Sequence, residues 1–159
     1  MILIVDASVV AKWLLAEAGA DRAAALMRHP LVAPETLVPE CLGALRKRVL
    51  RGLMLEQDAY DAALILARAG IVFEPVLPLA PEILSLSLRL SLSTYDCAYL
   101  ALARKVGGIL VTADERLLSR CRKPDVADLG LQVRSLFDPE APKVRERPPR
   151  PYIARRKAA

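Results

Sequence analysis

Short apolar segments alternate with longer segments of helical periodicity along most of this 159-residue chain. The short segments are rich in Val, Ile and Leu, which is typical of strands buried on both faces of a parallel sheet. Four such strands are predicted, at residues 1–5, 31–33, 71–75 and 109–111. A fifth strand is predicted at residues 126–129 or at residues 131–133.

The segments between the strands have apolar residues three and four positions apart, a spacing that predicts helices. The predicted helices cover residues 8–16, 20–28, 36–51, 55–68, 80–90, 93–104 and 112–121. Thr36 is the predicted cap of the third helix, whose first turn tolerates Pro39. Strands that alternate with helices predict an α/β fold, a doubly wound parallel sheet with right-handed crossovers.

The composition is typical of a soluble protein with one core. Hydrophobic residues make up 54% of the chain and aromatic residues only 4%, so Leu, Ala, Val and Ile must form that core. No apolar run approaches the roughly 20 residues that span a bilayer, and Asp6 interrupts the N-terminal run too early for a secretory signal. We therefore expect a cytoplasmic protein.

Histidine and cysteine are too few or too scattered for several kinds of chemistry. His29 is the only histidine, which leaves little for a His-pair ribonuclease or a Ser-His-Asp hydrolase. Cys41, Cys97 and Cys121 have no paired spacing, so we expect reduced structural thiols rather than disulfides or a zinc site.

Positive charge is concentrated at the end of the chain. The net charge is +5, but residues 143–159 contain seven basic residues and one acid, so the rest of the chain carries −1. From residue 138 onward the sequence is rich in Pro and Arg and lacks periodicity. The sequence therefore predicts a folded domain at residues 1–137 and a flexible basic tail at residues 138–159.

Four acidic residues, far apart in sequence, are predicted to meet at one edge of the sheet. Asp6 and Asp114 follow the first and fourth strands, and Glu40 and Asp96 lie in the first turns of helices. Helices in a βα repeat run antiparallel to the strands, so helix N-termini and strand C-termini lie at the same edge.

Each of these acids also has a purely structural explanation. Asp6 can cap the helix that follows it, and the pairs Ser93–Asp96 and Thr112–Glu115 fit capping boxes. Acids near helix starts also favour the helix dipole. Caps need not converge, however, and clustered acids repel one another unless a cation lies between them.

An all-oxygen cluster without His or Cys suits Mg²⁺ or Mn²⁺ rather than zinc. Such a site lowers the pKa of a bound water and stabilises charge on a phosphoryl oxygen. Ser8 and Thr112 add hydroxyl groups at the same edge, which can orient carboxylates or water or can cap helices. Phosphodiester hydrolysis is the reaction that these residues favour.

The sequence motifs around these acids resemble those of PIN-domain proteins, in particular the VapC ribonuclease toxins. Residues 4–14, IVDASVVAKWL, resemble the N-terminal signature of that family. Residues 32–40, residues 94–103 (TYDCAYLALA) and residues 110–114 (LVTAD) match the remaining motifs in order and spacing. The resemblance covers about residues 2–136.

The resemblance implies a flavodoxin-like parallel sheet in the order 3-2-1-4-5 and an endoribonuclease toxin that forms a homodimer and is neutralised by a VapB-like antitoxin. It implies an acidic Mg²⁺ site, with Mn²⁺ as a possible substitute, supported by Ser8 and Thr112. The catalytic and metal-binding residues of that site would be Asp6, Glu40, Asp96 and Asp114. The chain departs from the family at Gly43, where a small polar residue is common, and this bears on fine positioning or substrate choice.

Basic residues should flank an acidic edge that binds RNA. The candidates are Lys12, Arg46, Lys47, Arg48 and Arg51, each of which can equally lie on a solvated helix face. A second set of residues is apolar and can form either a groove for a partner helix or part of the core. This set comprises Trp13, Leu14, Leu37, Leu42, Leu45 and Val49.

Two other functions fit parts of the pattern. A PIN-like module that binds RNA or a partner without turnover stays open, although four mutually repelling acids count against it. A phosphoacceptor receiver domain has a similar sheet but needs an acidic pair after the first strand and an Asp after the third. Ala7 follows Asp6, and the third strand ends at Glu74-Pro75, so we discount that function.

Overall fold

The chain folds around a five-stranded parallel sheet flanked by helices. The structure is a computed structural model that describes residues 1–139; most of the predicted tail, residues 140–159, lies outside the described residues. The strands are β1 (Leu3–Val5), β2 (Leu31–Pro34), β3 (Val72–Glu74), β4 (Ile109–Thr112) and β5 (Val133–Ser135). Their order is β3-β2-β1-β4-β5 and every neighbouring pair is parallel, which confirms the predicted sheet.

Within residues 1–139, seven α-helices connect or follow these strands. They are α1 (Ala7–Leu14), α2 (Ala20–Ala25), α3 (Leu37–Leu50), α4 (Glu56–Ala67), α5 (Ala80–Leu90), α6 (Thr94–Val106) and α7 (Glu115–Cys121). The main difference from prediction is at α7, which begins at Glu115 because Thr112 belongs to β4 and Asp114 is the helix cap. Within residues 1–139, no helix combines the length and the apolar composition needed to cross a membrane.

The last strand takes one of its two predicted positions. Pro124–Leu129 forms a short 3-10 helix that begins at proline and ends at Gly130, whose φ of 61° lies in the left-handed region. The prediction of a strand at 126–129 is therefore wrong. β5 begins at Val133, the last residue of the alternative range, and Val133 pairs with Leu110 of β4.

The core is built from the central strands and one enclosed helix. All residues of β1 and β4 are buried, and α6 buries every side chain from Cys97 to Ala103. This helix packs across β1, β2 and β4 and against α5. Its N-terminus, which carries Asp96, therefore lies at the carboxyl edge of the central strands.

The candidate apolar groove is mostly core. Four of its residues are buried, namely Trp13, Leu14, Leu37 and Leu45. Leu42 is 42% exposed and Val49 is half-buried, so only the outer side of α3 offers apolar surface from this set.

Gly108 lies at the tightest approach between the α6–β4 connection and β1. An added Cβ would collide with Ile4 Cδ1 and lie 3.0 Å from the Ile2 carbonyl oxygen. We expect Gly108→Ala to lower the free energy of unfolding by about 1–3 kcal/mol, because the backbone or the fully buried Ile4 must move. Urea unfolding followed by circular dichroism measures the change.

Gly43→Ala is the matched control, since a Cβ at this position within α3 meets nothing within 4 Å. We expect it to be neutral or to raise the free energy of unfolding by up to about 1 kcal/mol. Equal stability of Gly108→Ala and the parent protein would contradict the close approach.

Candidate active site

Asp6 is buried where β1 ends, and it also caps the following helix. Asp6 is the N-cap residue of α1, and its backbone dihedral angles are extended. Its side-chain Oδ1 accepts hydrogen bonds from Val9 N at 3.0 Å and Ser8 Oγ at 2.6 Å. The residue is only 6% exposed. The capping role therefore holds, and it fixes the carboxylate in one orientation at the edge of the sheet.

Thr112 joins Asp6 to the end of β4. Its hydroxyl is fully buried, donates to Asp6 Oδ2 and accepts from Asp114 N at 2.9 Å. Ser8 Oγ closes the network by accepting from Ala113 N at 2.9 Å. Two connections, β1–α1 and β4–α7, are thus held together by side chains that the sequence singled out.

The network leaves one position open on the Asp6 carboxylate. Oδ1 accepts from both Val9 and Ser8, whereas Oδ2 accepts from Thr112 alone within the described residues. Since each carboxylate oxygen accepts about two hydrogen bonds, Oδ2 retains one lone pair for a further ligand.

Asp114 caps α7 in place of Thr112. Its Oδ1 accepts from Arg116 N at 2.8 Å and from Leu117 N at 3.1 Å. The predicted capping box of Thr112 with Glu115 is therefore wrong, because the Thr112 hydroxyl is already engaged by Asp6.

Glu40 is held by a residue that the sequence analysis missed. Glu40 lies in the first turn of α3, and its Oε1 accepts from the hydroxyl of Tyr99 at 2.9 Å. Tyr99 is 2% exposed and lies one turn after Asp96 on α6. The available signal was a tyrosine inside an otherwise apolar helix, because a buried phenol hydroxyl needs a partner.

The predicted cap of α3 is not made. Thr36 has helical dihedral angles (φ −62°, ψ −20°), and its Oγ1 is buried without a hydrogen-bond partner in the described part of the chain. A capping side chain needs extended dihedral angles and a backbone N–H two or three residues into the helix. Pro39 occupies one of those positions and has no N–H.

Asp96 is held by its own helix start and by a second residue that the sequence analysis missed. Ser93 Oγ accepts from Asp96 N at 3.0 Å, as expected for the capping box. The Asp96 carboxylate accepts from the Arg116 guanidinium at 3.1 Å. Arg116 lies in the first turn of α7, two residues after Asp114, and that spacing was the only sequence signal.

The four acids lie close enough to affect one another electrostatically. Burial raises the pKa of the Asp6 carboxyl above its usual value, the charge of Asp114 adds to this, and the three hydrogen bonds to Asp6 oppose it. Burial also raises the pKa of Glu40, and the charges of Asp6 and Asp96 raise it further, while the Tyr99 hydroxyl lowers it. The chain thus concentrates negative charge at one edge of the sheet. Burial and mutual repulsion disfavour the ionised form of these carboxyl groups.

The side-chain atoms that could ligate a metal ion in this region are oxygen atoms. Cys41 and Cys97 directly follow Glu40 and Asp96, but burial raises the pKa of each thiol to about 12. All three cysteines are free, as predicted. Carboxylate and hydroxyl oxygens suit a hard cation such as Mg²⁺ or Mn²⁺.

The acids are not preassembled into a cage. Among residues 1–139, no three His, Cys, Asp or Glu side chains are arranged to hold a metal ion. Tyr99, Arg116 and the first turn of α7 each hold one acid separately. The residues fit a divalent cation in kind, and shared coordination requires rotation of some of these side chains.

The basic candidates do not contact the four acids. Arg48 forms an ion pair with Glu17, and the Lys12 ammonium lies 5.5 Å from the centroid of the Phe137 ring. Arg46 is exposed on α3. A role of Lys12, Arg46 and Arg48 in RNA binding stays a prediction.

Comparison with known proteins agrees with the fold. The family profile of the PIN domain matches residues 3–123. Ribonuclease VapC3 of Pyrobaculum aerophilum is 29% identical over 124 residues, which cover 76% of this chain and 95% of that protein. The crystal structure of PAE2754 from the same organism superposes with a TM-score of 0.60 at 24% identity, covering 81% of this chain and 92% of that one.

The raised pKa of Asp6 predicts how stability depends on pH. A carboxyl with a raised pKa keeps its proton longer in the folded protein, so its contribution to stability is lost as pH rises through the folded pKa. Without divalent metal, we expect the free energy of unfolding to fall less between about pH 4 and pH 7 in Asp6→Asn than in the parent. Urea unfolding at several pH values measures this difference.

Asp21→Asn is the control, because it removes one exposed carboxylate on α2. Its free energy of unfolding should change with pH in parallel with that of the parent protein. Parallel profiles for Asp6→Asn and the parent would show that burial of Asp6 does not penalise its charge.

Proposed function

The chain belongs to the PIN-domain family, and from this premise we propose that it is a metal-dependent endoribonuclease that hydrolyses phosphodiester bonds of RNA. One observation carries the proposal: acids from four separate segments are linked electrostatically at one edge of the sheet. The charge of Asp114 acts on the buried carboxylate of Asp6, and the charges of Asp6 and Asp96 act on Glu40. Such crowding costs stability unless a cation joins the acids. The ribonuclease name of the VapC3 relative supports RNA as the substrate.

In the proposed mechanism, Asp6, Asp96 and Asp114 bind Mg²⁺ or Mn²⁺, with Glu40 completing the acidic set. A divalent ion held there supplies an activated water and stabilises negative charge on a phosphoryl oxygen. Ser8 and Thr112 fix the orientation of Asp6 and leave one lone pair of Oδ2 available.

Glu40 has a distinct position in this arrangement. The Tyr99 hydroxyl donates to Oε1, and the nearby Thr36 side chain also favours the ionised carboxylate, but no hydrogen bond to Oε2 is made within residues 1–139. That oxygen is available to coordinate the cation or to orient the attacking water by accepting its hydrogen bond. Tyr99 is the positioning residue for either role.

The alternative proposal is a PIN-like module that binds RNA or a partner without turnover. The ion pair of Arg116 with Asp96 favours it, because a guanidinium then occupies a carboxylate that catalysis needs. Four acids at one edge favour the enzyme, since a purely binding module gains nothing from their repulsion.

Family membership also leads us to propose a VapB-type antitoxin, a homodimer and a cytoplasmic location. Exposed apolar side chains on three helices support protein partners. They are Leu42 and Leu50 of α3, Leu64 of α4, and Leu84 and Leu88 of α5.

We further propose the division into a domain at residues 1–137 and a basic tail at residues 138–159 that contributes to RNA binding. The seven basic residues of segment 143–159 support this, because the rest of the chain carries −1. Lys12, Arg46 and Arg48 are the proposed RNA contacts within the domain.

The cleavage assay combines purified protein, structured RNA and either Mg²⁺ or EDTA. We expect cleavage with Mg²⁺ or Mn²⁺, none with EDTA, and a loss of more than about 100-fold for Asp96→Asn, which removes a proposed metal ligand. Asp128→Asn is the matched control, because Asp128 is exposed and paired with Arg89 away from the acids. Cleavage that persists in EDTA or in Asp96→Asn would end the metal-nuclease proposal.

The tail is tested by deleting residues 143–159 and measuring RNA affinity in EDTA at several salt concentrations. Each phosphate contact contributes about 0.7 to the slope of log affinity against log salt for single strands. With seven basic residues removed, the slope should become shallower by up to about 5. An unchanged slope would exclude the tail from the RNA site.

A further inference from the structure

Arg116 is the only basic side chain that forms an ion pair with one of the four acids in residues 1–139. Its guanidinium lies 3.1 Å from Asp96 Oδ2, and its backbone N–H donates to Asp114 Oδ1 at 2.8 Å. The Arg116 side chain is 69% exposed, whereas that of Asp96 is 21% exposed. A solvated cation is thus held at the edge where the acids meet.

The guanidinium of Arg116 has no other acceptor in the described structure. Arg120, one turn later, donates to Leu90 O, Arg89 O and Asp125, and Arg122 pairs with Asp138. The guanidinium of Arg116 donates to Asp96 alone. If Asp96 takes another partner, no other acceptor within residues 1–139 competes for the Arg116 guanidinium.

The chemistry of this ion pair makes it exchangeable. An ion pair so exposed is weak, and a divalent cation on Asp96 competes with the guanidinium for the charge of the carboxylate. A guanidinium is planar with five N–H donors, a geometry that matches two oxygens of a phosphodiester. The acidic edge otherwise repels RNA, so a guanidinium at this position would favour binding of an RNA phosphate.

We propose that Arg116 is a substrate-positioning residue that exchanges Asp96 for an RNA phosphate. In this structure the Arg116 guanidinium pairs with Asp96. When Asp96 coordinates a divalent cation, the released guanidinium binds phosphate oxygens of the substrate beside the acids. This inference rests on the proposed nuclease function and adds a residue to it.

The proposal predicts opposite effects of Arg116→Ala on two measurements. Loss of the competing guanidinium should tighten Mn²⁺ binding to the protein alone by about two- to fivefold, the range expected for a partly exposed ion pair. Loss of the phosphate contact should lower kcat/KM on RNA at saturating metal by about tenfold or more. Arg116→Lys keeps the charge, so its Mn²⁺ affinity and its kcat/KM on RNA should both lie between those of Arg116→Ala and the parent.

Calorimetric titration with Mn²⁺ gives the first quantity and initial rates of RNA cleavage give the second. Arg122→Ala is the matched control, an exposed arginine at the end of the same helix with its own carboxylate partner, and should leave both values unchanged. Thermal unfolding confirms that each variant is folded.

The outcomes separate this inference from the function on which it rests. If the parent binds Mn²⁺ and cleaves RNA, but Arg116→Ala changes neither quantity or weakens both, the exchange is wrong and the nuclease proposal stands. If the parent binds Mn²⁺ tightly but cleaves no RNA, the nuclease proposal fails. The proposed contact of Arg116 with a substrate phosphate fails with it. A parent that binds no Mn²⁺ overturns both.

Discussion

The Asp6 carboxylate is buried where β1 ends, and hydrogen bonds from Val9, Ser8 and Thr112 hold it there. A buried charge is costly unless donors satisfy it, so these three groups make the position possible. Two of the donors belong to the first turn of α1 and the third ends β4. The same contacts therefore close the first helix onto the sheet, join its two central strands and orient the proposed metal ligand.

The other acids depend on this arrangement but are held by different partners. Tyr99 holds Glu40, Arg116 holds Asp96, and the first turn of α7 holds Asp114. Each partner offsets part of the repulsion that accompanies clustered carboxylates. Binding of a cation must therefore compete with these internal bonds.

The sequence was sufficient for what depends on periodicity and chain order. Apolar runs and helical spacing located the central strands, and βα geometry brought Asp6, Glu40, Asp96 and Asp114 to one edge. It was insufficient for pairings between distant segments, since Glu40 with Tyr99 and Asp96 with Arg116 depend on the positions of whole helices.

Local chemistry explains the remaining differences. Thr36 has helical dihedral angles, which are incompatible with a conventional cap, and Pro39 removes one of the two N–H groups that a cap could bind. The demand of Asp6 for a donor diverts Thr112 from α7. The metal-site proposal is tested most directly by a crystal structure of the full chain grown with Mn²⁺ and measured at the manganese absorption edge. We predict an anomalous peak coordinated by Asp6 Oδ2 and at least two of the other three acids, with Arg116 separated from Asp96. A peak elsewhere, or none at saturating Mn²⁺, would contradict the proposed site.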